Sequence, residues 1–339
     1  MWLNITWYVL FIIIIAGYVI MDGFDLGVGI LHPFAAKTDT ERRVMINSIG
    51  PVWDGNEVWL VLGGGVLFAA FPLVYASLFS GFYTAMMLIL LVLILRTVAI
   101  EFRSKRPSPR WRSAWDWVFS ISSFGIALLL GVAIGNIIMG VRLDAQGNIF
   151  QTLAELLSPY ALLVGVTTVL MLATHGAIYL SMKTEGALLA RIERWVPRLM
   201  ISFFVLNTVL VGATVWMHAH VAESYVRQPL QVILPALALL SVIVAWLMVR
   251  RQRYFVAFFF SAAMIAGLIL SIAVGMFPNL LVSTLDPQYN LTIFNAASAP
   301  NTLTVMLVIA LIGMPFVLLY TAGVYYFFRG RVQLGPESY

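Results

Sequence analysis

Nine runs of about 20 mostly apolar residues are the feature of this sequence that most limits how the chain folds. The runs cover residues 5–31, 52–74, 78–100, 116–140, 159–182, 200–218, 228–249, 255–276 and 303–328. A helix of this length and composition spans the hydrocarbon core of a bilayer. Charged residues make up only 10% of the chain, against about 25% in an average soluble domain. The sequence therefore predicts an all-α integral membrane protein with nine transmembrane helices.

The basic residues predict the orientation of the helices. Of the 20 Lys and Arg residues, all but Arg142 and Arg227 lie in or beside loops that follow odd-numbered runs. Loops on the cytoplasmic side of a membrane carry the excess of Lys and Arg. We therefore expect the N-terminus outside and the C-terminus in the cytoplasm. The same loops explain the net charge of +5, so we expect membrane lipid and no nucleic acid as a partner.

We expect one polytopic membrane domain over residues 1–339. Residues 1–140 supply the first four helices, residues 159–276 a second four-helix unit, and residues 303–328 the last helix. Runs 1 and 5 share a faint similarity, because each has a polar residue before glycine (Asp22-Gly23 and His175-Gly176) and then a basic loop. This similarity favours two four-helix bundles and one peripheral helix.

Four carboxylates interrupt the first two apolar runs, and they carry most of the functional argument. Asp22 and Asp25 fall about 13 and 9 Å from the cytoplasmic end of run 1, at 1.5 Å per residue. Asp54 and Glu57 fall about 3 and 8 Å inside run 2, and Arg96 lies about 6 Å inside run 3. The four acids thus form one layer in the cytoplasmic half, with a single arginine at similar depth.

Two interpretations of this layer differ in chemistry. An acid at mid-membrane costs about 2.5–3.5 kcal/mol on insertion scales, so such residues usually face a protein interior or a water path. In one interpretation Arg96 pairs with one acid, and Asp54 and Glu57 reach the nearby interface. In the other, four carboxylates beside one arginine share protons and form a proton relay or cation site. The short side chains of Asp22 and Asp25 favour the relay.

The remaining candidate ligands give weaker signals. The chain has no cysteine, so disulfides and thiolate ligation are excluded, and no histidine spacing predicts a metal site. Only His175 lies well inside a run; we favour a hydrogen-bonded core histidine, with heme ligation as the alternative. Trp53 and Trp59 flank the second acidic pair, where they either pack or contact a bound quinone.

Several longer motifs, in order along the chain, resemble subunit II of the cytochrome bd-type quinol oxidases. They are found at 22–29 (DGFDLGVG), 41–49 (ERRVMINSI), 53–59 (WDGNEVW), 69–72 (AAFP), 102–105 (FRSK), 111–112 (WR), 115–117 (WDW), 131–136 (GVAIGN) and 320–323 (YTAG). The first 140 residues carry nearly all of this specificity, and the remainder agrees in length and in its pattern of apolar runs.

The resemblance implies a heme-free subunit of a quinol:O2 oxidoreductase in a bacterial or archaeal cytoplasmic membrane. It implies a partner, subunit I, that carries heme b and heme d (or only heme b), oxidises quinol and reduces O2. Asp25 and Asp54 match acids associated with proton uptake from the cytoplasm, while Asp22 and Glu57 are candidates for the same relay. A structural quinone and small single-span subunits occur in some members. Which quinol is used is left open.

Three other functions remain as alternatives at this stage. A proton-coupled secondary transporter also needs intramembrane acids, although its helices are usually broken near the midplane. A scaffold subunit would use the acids for assembly alone. A self-contained heme protein would need His175 or another histidine as an iron ligand.

Overall fold

A computed structural model describes residues 1–335 of the chain. In order, the helices of the first half are α1 (Trp2–Ala35), α2 (Asp39–Ile49), α3 (Trp53–Ala70), α4 (Pro72–Gly81), α5 (Tyr83–Phe102), α6 (Pro109–Met139) and α7 (Leu153–Leu156). Those of the second half are α8 (Pro159–Lys183), α9 (Gly186–Met217), α10 (Ala219–Arg227), α11 (Ile233–Arg250), α12 (Tyr254–Met276) and α13 (Pro300–Phe327). The all-α fold predicted from the apolar runs is confirmed.

Strands occur only in the loop between α12 and α13, among the residues that the structure describes. There β1 (Asn279–Leu281) pairs antiparallel with β2 (Leu291–Thr292). Backbone hydrogen bonds join this loop to the α6–α7 connection, since Val141 N donates to Val282 O and Thr284 N donates to Val141 O, both at 2.9 Å. The two connections therefore form one cap on the predicted outer side.

Eight of the described helices are long and apolar enough to cross a membrane, and the bent pair α3–α4 makes a ninth when it is counted as one span. The predicted second run, 52–74, is the one that is broken. Helix α3 ends at Ala70, and α4 leaves it at an angle of 120°. Pro72 has no backbone N–H, and it disfavours helical backbone at the preceding residue, so Phe71 interrupts the helix.

Three helices extend well beyond their apolar runs. Helix α1 continues to Ala35, α6 begins at Pro109 instead of residue 116, and α9 begins at Gly186 instead of residue 200. The extra turns carry charged and polar residues, which a hydropathy window does not count but which form helix in water. Apart from the broken run 52–74, the predicted spans are thus correct in position, and these three helices extend into the loops on the predicted cytoplasmic side.

Helix α1 lies at the centre of the bundle, in contact with α3, α6, α8 and α12. Its closest approach is to α8, where a Cβ atom on Gly27 would lie only 2.8 Å from the Gly176 Cα. Small residues permit such close helix packing in lipid, where van der Waals contact drives association. The main apolar core joins α1 and α6 to α8, α9, α11 and α12, so it runs through both predicted four-helix units.

Candidate functional site

A buried ion pair joins α1 to α5. The Arg96 guanidinium donates through Nη2 to Asp22 Oδ1 at 2.6 Å, and both side chains are fully buried. Glu57 on α3 approaches the same arginine, with 4.0 Å between Glu57 Oε2 and Arg96 Nη1. We refer to Asp22, Asp25, Glu57 and Arg96 as the acidic cluster. The sequence-based pairing of Arg96 with one of the acids matches this arrangement.

Asp25 has no arginine on its carboxylate and is held by an amide instead. Asn56 Nδ2 donates to Asp25 Oδ2 at 2.7 Å, and both side chains are buried. The i,i+3 spacing places Asp22 and Asp25 on one side of α1, and Asp25 interacts electrostatically with Asp22, Arg96 and Glu57. Asp22 Oδ2, Asp25 Oδ1 and Arg96 Nη1 have no hydrogen-bond partner within residues 1–335.

Asp54 lies apart from this cluster, on the outward side of α3. Its side chain is exposed, and it heads an exposed stripe that continues through Val58, Val61, Gly65 and Phe68 at helical spacing. Glu57, with 21% of its side chain exposed, stands between this stripe and the buried Arg96. The structure therefore gathers three of the four predicted acids and places the fourth at the surface of the chain.

The two tryptophans beside the acids point into packed interior. Trp53 is part of the main core with α1, α2 and α8, and Trp59 belongs to the core at the predicted outer half. The Trp59 ring covers Gly17 on α1, where a Cβ atom would lie 2.8 Å from it. Packing explains the burial of both rings.

His175 on α8 has both ring nitrogens engaged. Nδ1 lies 2.7 Å from Ser261 Oγ and Nε2 lies 3.0 Å from the Ile20 carbonyl, while the ring stacks on Phe258 with 4.7 Å between centroids. This is the geometry of the hydrogen-bonded core histidine that we favoured. Within residues 1–335, no three His, Asp or Glu side chains are grouped as a metal site would require.

A second set of charged residues, of which Arg103 and Asp116 are buried, lies on the predicted cytoplasmic side, on α2, the α5–α6 turn and the start of α6. We call it the arginine cluster: Arg42, Arg103 and Arg112 with Asp39 and Asp116. Arg103 Nε donates to Asp116 Oδ1 at 2.5 Å, and Arg42 Nη1 donates to Asp116 Oδ2 at 3.0 Å. Asp39 accepts from Arg103 at 2.8 Å and from Arg112 at 2.7 Å.

The arginine cluster changes the chemistry of its carboxylates. Burial by itself would raise the pKa of Asp39, but the hydrogen bond from Arg103 and the charges of Arg103 and Arg112 lower it below the ordinary value. Arg103 and Asp116 were missed as site residues because they lie at the edge of apolar runs. Their only sequence signal is membership of the motifs at 102–105 and 115–117.

Sequence reasoning also missed the two residues that connect Asp25 to the rest of the bundle. Asn56 lies within the 53–59 motif, but it is uncharged and was therefore not singled out beside Asp54 and Glu57. Tyr325, whose hydroxyl donates to Asn56 Oδ1 at 2.8 Å, is 269 residues away along the chain. No local pattern identifies a contact of that separation.

A cavity of about 320 Å³ lies between the first turns of α1 and α13, lined by Asn4, Phe294 and Pro300 among others. It lies at the opposite end of α1 from Asp22 and Asp25, and none of the four acids lines it. The cavity is thus separate from the acidic cluster.

The arrangement of acids can take up and hold protons. Three carboxylates and one guanidinium cannot all stay charged cheaply in a low-dielectric interior, and bound protons can offset such an excess of carboxylates. Asp54 is exposed, Glu57 is half-buried, and Asp22 and Asp25 are fully buried, so the four acids differ in their access to solvent.

The chain is similar to known proteins over nearly its full length. Residues 3–328 match the family model for cytochrome bd terminal oxidase subunit II. The chain is 38% identical to cytochrome bd-I ubiquinol oxidase subunit 2 of Escherichia coli (strain K12), over 97% of this chain and 95% of that protein. It is 35% identical to cytochrome bd ubiquinol oxidase subunit 2 of Bacillus subtilis (strain 168), over 98% and 97%.

The fold is also similar to that of a solved structure, the bd oxidase from Geobacillus thermodenitrificans. The TM-score is 0.81, and the match covers 97% of this chain and 99% of that chain at 16% sequence identity. At that identity the comparison concerns the fold, while the curated relatives carry the functional relationship.

Proposed function

This chain belongs to the cytochrome bd terminal oxidase subunit II family, and we propose that it conducts protons from the cytoplasmic side of the membrane toward its partner subunit. As a family member it is a multi-pass membrane subunit of a quinol-oxidising terminal oxidase, an enzyme complex of the respiratory chain. This membership removes the transporter alternative. Reduction of O2 to water consumes protons, so a path from the cytoplasm would make turnover electrogenic.

One observation carries the proposal: the acids are graded in burial along one side of α3 and α1. Asp54 is exposed at the first turn of α3, Glu57 is half-buried one turn later, and Asp25 is fully buried behind it. A carboxylate on a face that otherwise shows apolar side chains is costly against lipid. We infer that the partner subunit covers this stripe and that Asp54 exchanges protons across the contact.

Hemes of the complex are proposed to lie in the partner subunit, because the buried histidines here do not fit heme iron. Both nitrogens of His175 are hydrogen-bonded. His32, the other fully buried histidine, lies about 18 Å along α1 from Ile20, the residue that His175 contacts, so the two cannot ligate one iron. No step of the proposal passes through a heme in this chain.

The tryptophans support no quinone site, since the rings of Trp53 and Trp59 are enclosed by packed side chains. A structural quinone and accessory single-span subunits stay predictions of the family resemblance. The orientation, with α1 starting outside, likewise rests on the distribution of Lys and Arg and enters the proposal as a premise.

Replacement of Asp54 by asparagine in the assembled complex tests the proposal. Asn keeps the size of the side chain but cannot take up or release a proton. We expect O2 consumption with quinol as donor to fall roughly tenfold or more, since proton transfer by a positioned group contributes about 10²–10⁴-fold to a rate. Membrane potential generated in proteoliposomes should fall with it.

The matched control is Asp286→Asn, the same substitution in the outer loop, where the Asp286 side chain only accepts from the Gln288 N–H. It should leave both measurements unchanged. Full O2 consumption and full membrane potential in Asp54→Asn, with normal heme content, would refute the proton path and leave the scaffold interpretation.

A further inference from the structure

Asn56 makes three hydrogen bonds at a point where three transmembrane helices meet. Its Nδ2 donates to Asp25 Oδ2 at 2.7 Å and to the Met21 carbonyl at 3.2 Å, both on α1. Its Oδ1 accepts from the Tyr325 hydroxyl on α13 at 2.8 Å. The side chain is 1% exposed, so no solvent competes for these bonds. One amide on α3 thereby ties α1 to α13.

The Asp25 carboxylate and the Met21 carbonyl determine which way round this amide sits, and Tyr325 donates to the amide oxygen on the other side. A flipped amide would set Oδ1 against two acceptors, the Asp25 carboxylate and the Met21 carbonyl, and would leave the tyrosine hydroxyl facing an N–H. The observed orientation is the one in which each donor meets an acceptor. Because hydrogen bonds in a chain polarise one another, the donation by Tyr325 also strengthens the donation by Asn56 to Asp25.

Tyr325 is itself held in place, although α13 is otherwise loosely attached. Among the described residues of α13 only Leu303, near its other end, is buried. At the cytoplasmic end the Tyr325 ring meets the edge of Phe24 at 6.4 Å between centroids. Lys183 on α8 donates to the carbonyls of Phe328 and Gly330 just beyond the helix. These contacts fix the height of the tyrosine hydroxyl against Asn56.

The two oxygens of Asp25 are consequently unequal. Oδ2 is committed to Asn56, whereas Oδ1 is buried and has no hydrogen-bond partner within residues 1–335. A carboxylate oxygen that already accepts a strong N–H bond is the poorer site for a proton, because the proton would compete with that donor. Asp22 and Arg96 pair with each other through Oδ1 and Nη2, and neither has a hydrogen bond to Asp25 among the described residues.

We propose that Asn56, whose amide oxygen accepts the hydrogen bond from Tyr325, is a positioning residue that directs proton uptake and release on Asp25 to the Oδ1 atom. The step moves one proton: an O–H bond forms at Oδ1 on uptake and breaks there on release, with no change in electrons. The proposal rests on the proton-conducting function given above. It adds two residues, Asn56 and Tyr325, that hold the acceptor in one orientation without exchanging the proton themselves.

Tyr325→Phe in the assembled oxidase is the main test, because it removes one hydroxyl and keeps the ring that packs on Phe24. We expect quinol-driven proton uptake to slow about two- to tenfold, the size of effect that follows from one lost hydrogen bond. The infrared difference signal of the Asp25 carboxyl group, identified by its loss in Asp25→Asn, should shift. Asn56→Leu should slow uptake further.

Tyr326→Phe is the matched control, since it is the same substitution one residue along, on a side chain that is 68% exposed. It should change neither rate nor spectrum. Tyr325→Phe should also have no added effect in an Asp25→Asn background, because the tyrosine is proposed to act only through Asp25. An equal extra loss there would overturn the proposal and indicate a purely structural role.

The outcomes separate this proposal from the proton path itself. Wild-type rate and an unshifted Asp25 signal in Tyr325→Phe would overturn the positioning role even where Asp25→Asn is slow. An unchanged rate in Asp25→Asn would defeat the proton path, while a shifted signal in Tyr325→Phe would still support the positioning of Asp25. Should Asn56→Leu fail to assemble, Tyr325→Phe alone decides.

Discussion

The acidic cluster and the arginine cluster are built from the same residue types and differ in charge balance. The acidic cluster sets three carboxylates against one guanidinium, and one buried oxygen each of Asp22 and Asp25 lacks a hydrogen-bond partner among the described residues. The arginine cluster sets three guanidiniums against two carboxylates, and both oxygens of Asp116 are bonded. A buried acid by itself is therefore a weak candidate for a proton site, and an acid that lacks a compensating cation is the stronger candidate.

The two clusters also differ in what they join. The arginine cluster connects α2 to the α5–α6 turn and to the start of α6, so it fixes loops on the predicted cytoplasmic side. The acidic cluster lies between α1, α3 and α5, inside the membrane-spanning part. The same residue types thus form a network of ion pairs in one region and a group of carboxylates with too few cations in the other.

The largest expected effect is a difference in the free energy of unfolding when one aspartate in each cluster is replaced by asparagine. Asp116→Asn leaves Arg103, which is 1% exposed, without its main partner, so we expect a loss of about 3–5 kcal/mol in the free energy of unfolding. Asp25→Asn removes a charge that no arginine contacts and can keep the bond from Asn56, so its cost should stay near about 1 kcal/mol. Thermal unfolding of the purified complexes would measure both.

The rate of O2 consumption per assembled complex should show the opposite order, with Asp25→Asn slower than Asp116→Asn. Equal destabilisation by the two substitutions would break the distinction between the clusters. It would mean that Asp25 is as strongly compensated as Asp116.

An intermediate effect is expected from the one ion pair inside the acidic cluster. In a double-mutant cycle, Asp22→Asn and Arg96→Gln should each destabilise the protein, while the double variant should lose less than the sum. We expect a coupling free energy of about 1–3 kcal/mol, the range for residues in direct contact. Equilibrium unfolding in mixed micelles would measure the four proteins.

Glu57→Gln, whose carboxylate is 4.0 Å from Arg96, serves as the comparison in that cycle. The coupling free energy between Glu57 and Arg96 should be smaller than that between Asp22 and Arg96. A coupling as large as that of Asp22 would show that the arginine is shared equally between the two acids.

The smallest effect concerns pH and the arginine cluster. The pKa of Asp39 is lower in the folded protein than its ordinary value of 3.8, because the hydrogen bond from Arg103 and the nearby charges outweigh burial. Its ionised form therefore contributes stability above that value, and the contribution is lost as the pH falls through the folded pKa. Asp39→Asn should accordingly lose less stability than the unsubstituted protein between about pH 5 and pH 3.

The difference should be small, since the Asp39 side chain is 44% exposed and solvent screens its ion pairs. Melting temperature against pH for both proteins would measure it, with Asp286→Asn as the control. Parallel curves for Asp39→Asn and the unsubstituted protein would show that ionised Asp39 does not contribute to the stability of the folded protein.

Sequence reasoning identified the parts of the molecule that local composition decides. Apolar runs of span length predicted the all-α membrane fold, because a bilayer admits long apolar helices and little else. The motifs at 22–29 and 53–59 indicated the family and supplied every acid of the candidate site. The break after Ala70 was missed because the apolar run continues through Phe71 and Pro72, although proline itself was the available signal.

Only the tertiary structure decided how those parts are paired. Asp54 is exposed and Glu57 is half-buried on the same helix, because the burial of each residue of α3 depends on the helices that pack against it. The tertiary structure brought Tyr325 to Asn56 and Arg103 to Asp116, contacts set by helix packing and not by any local period. By itself the sequence determined which residues are costly to bury, since that cost belongs to the side chain. The tertiary structure decided which of these residues have a partner of opposite charge, because those partners lie on helices that are distant in the chain.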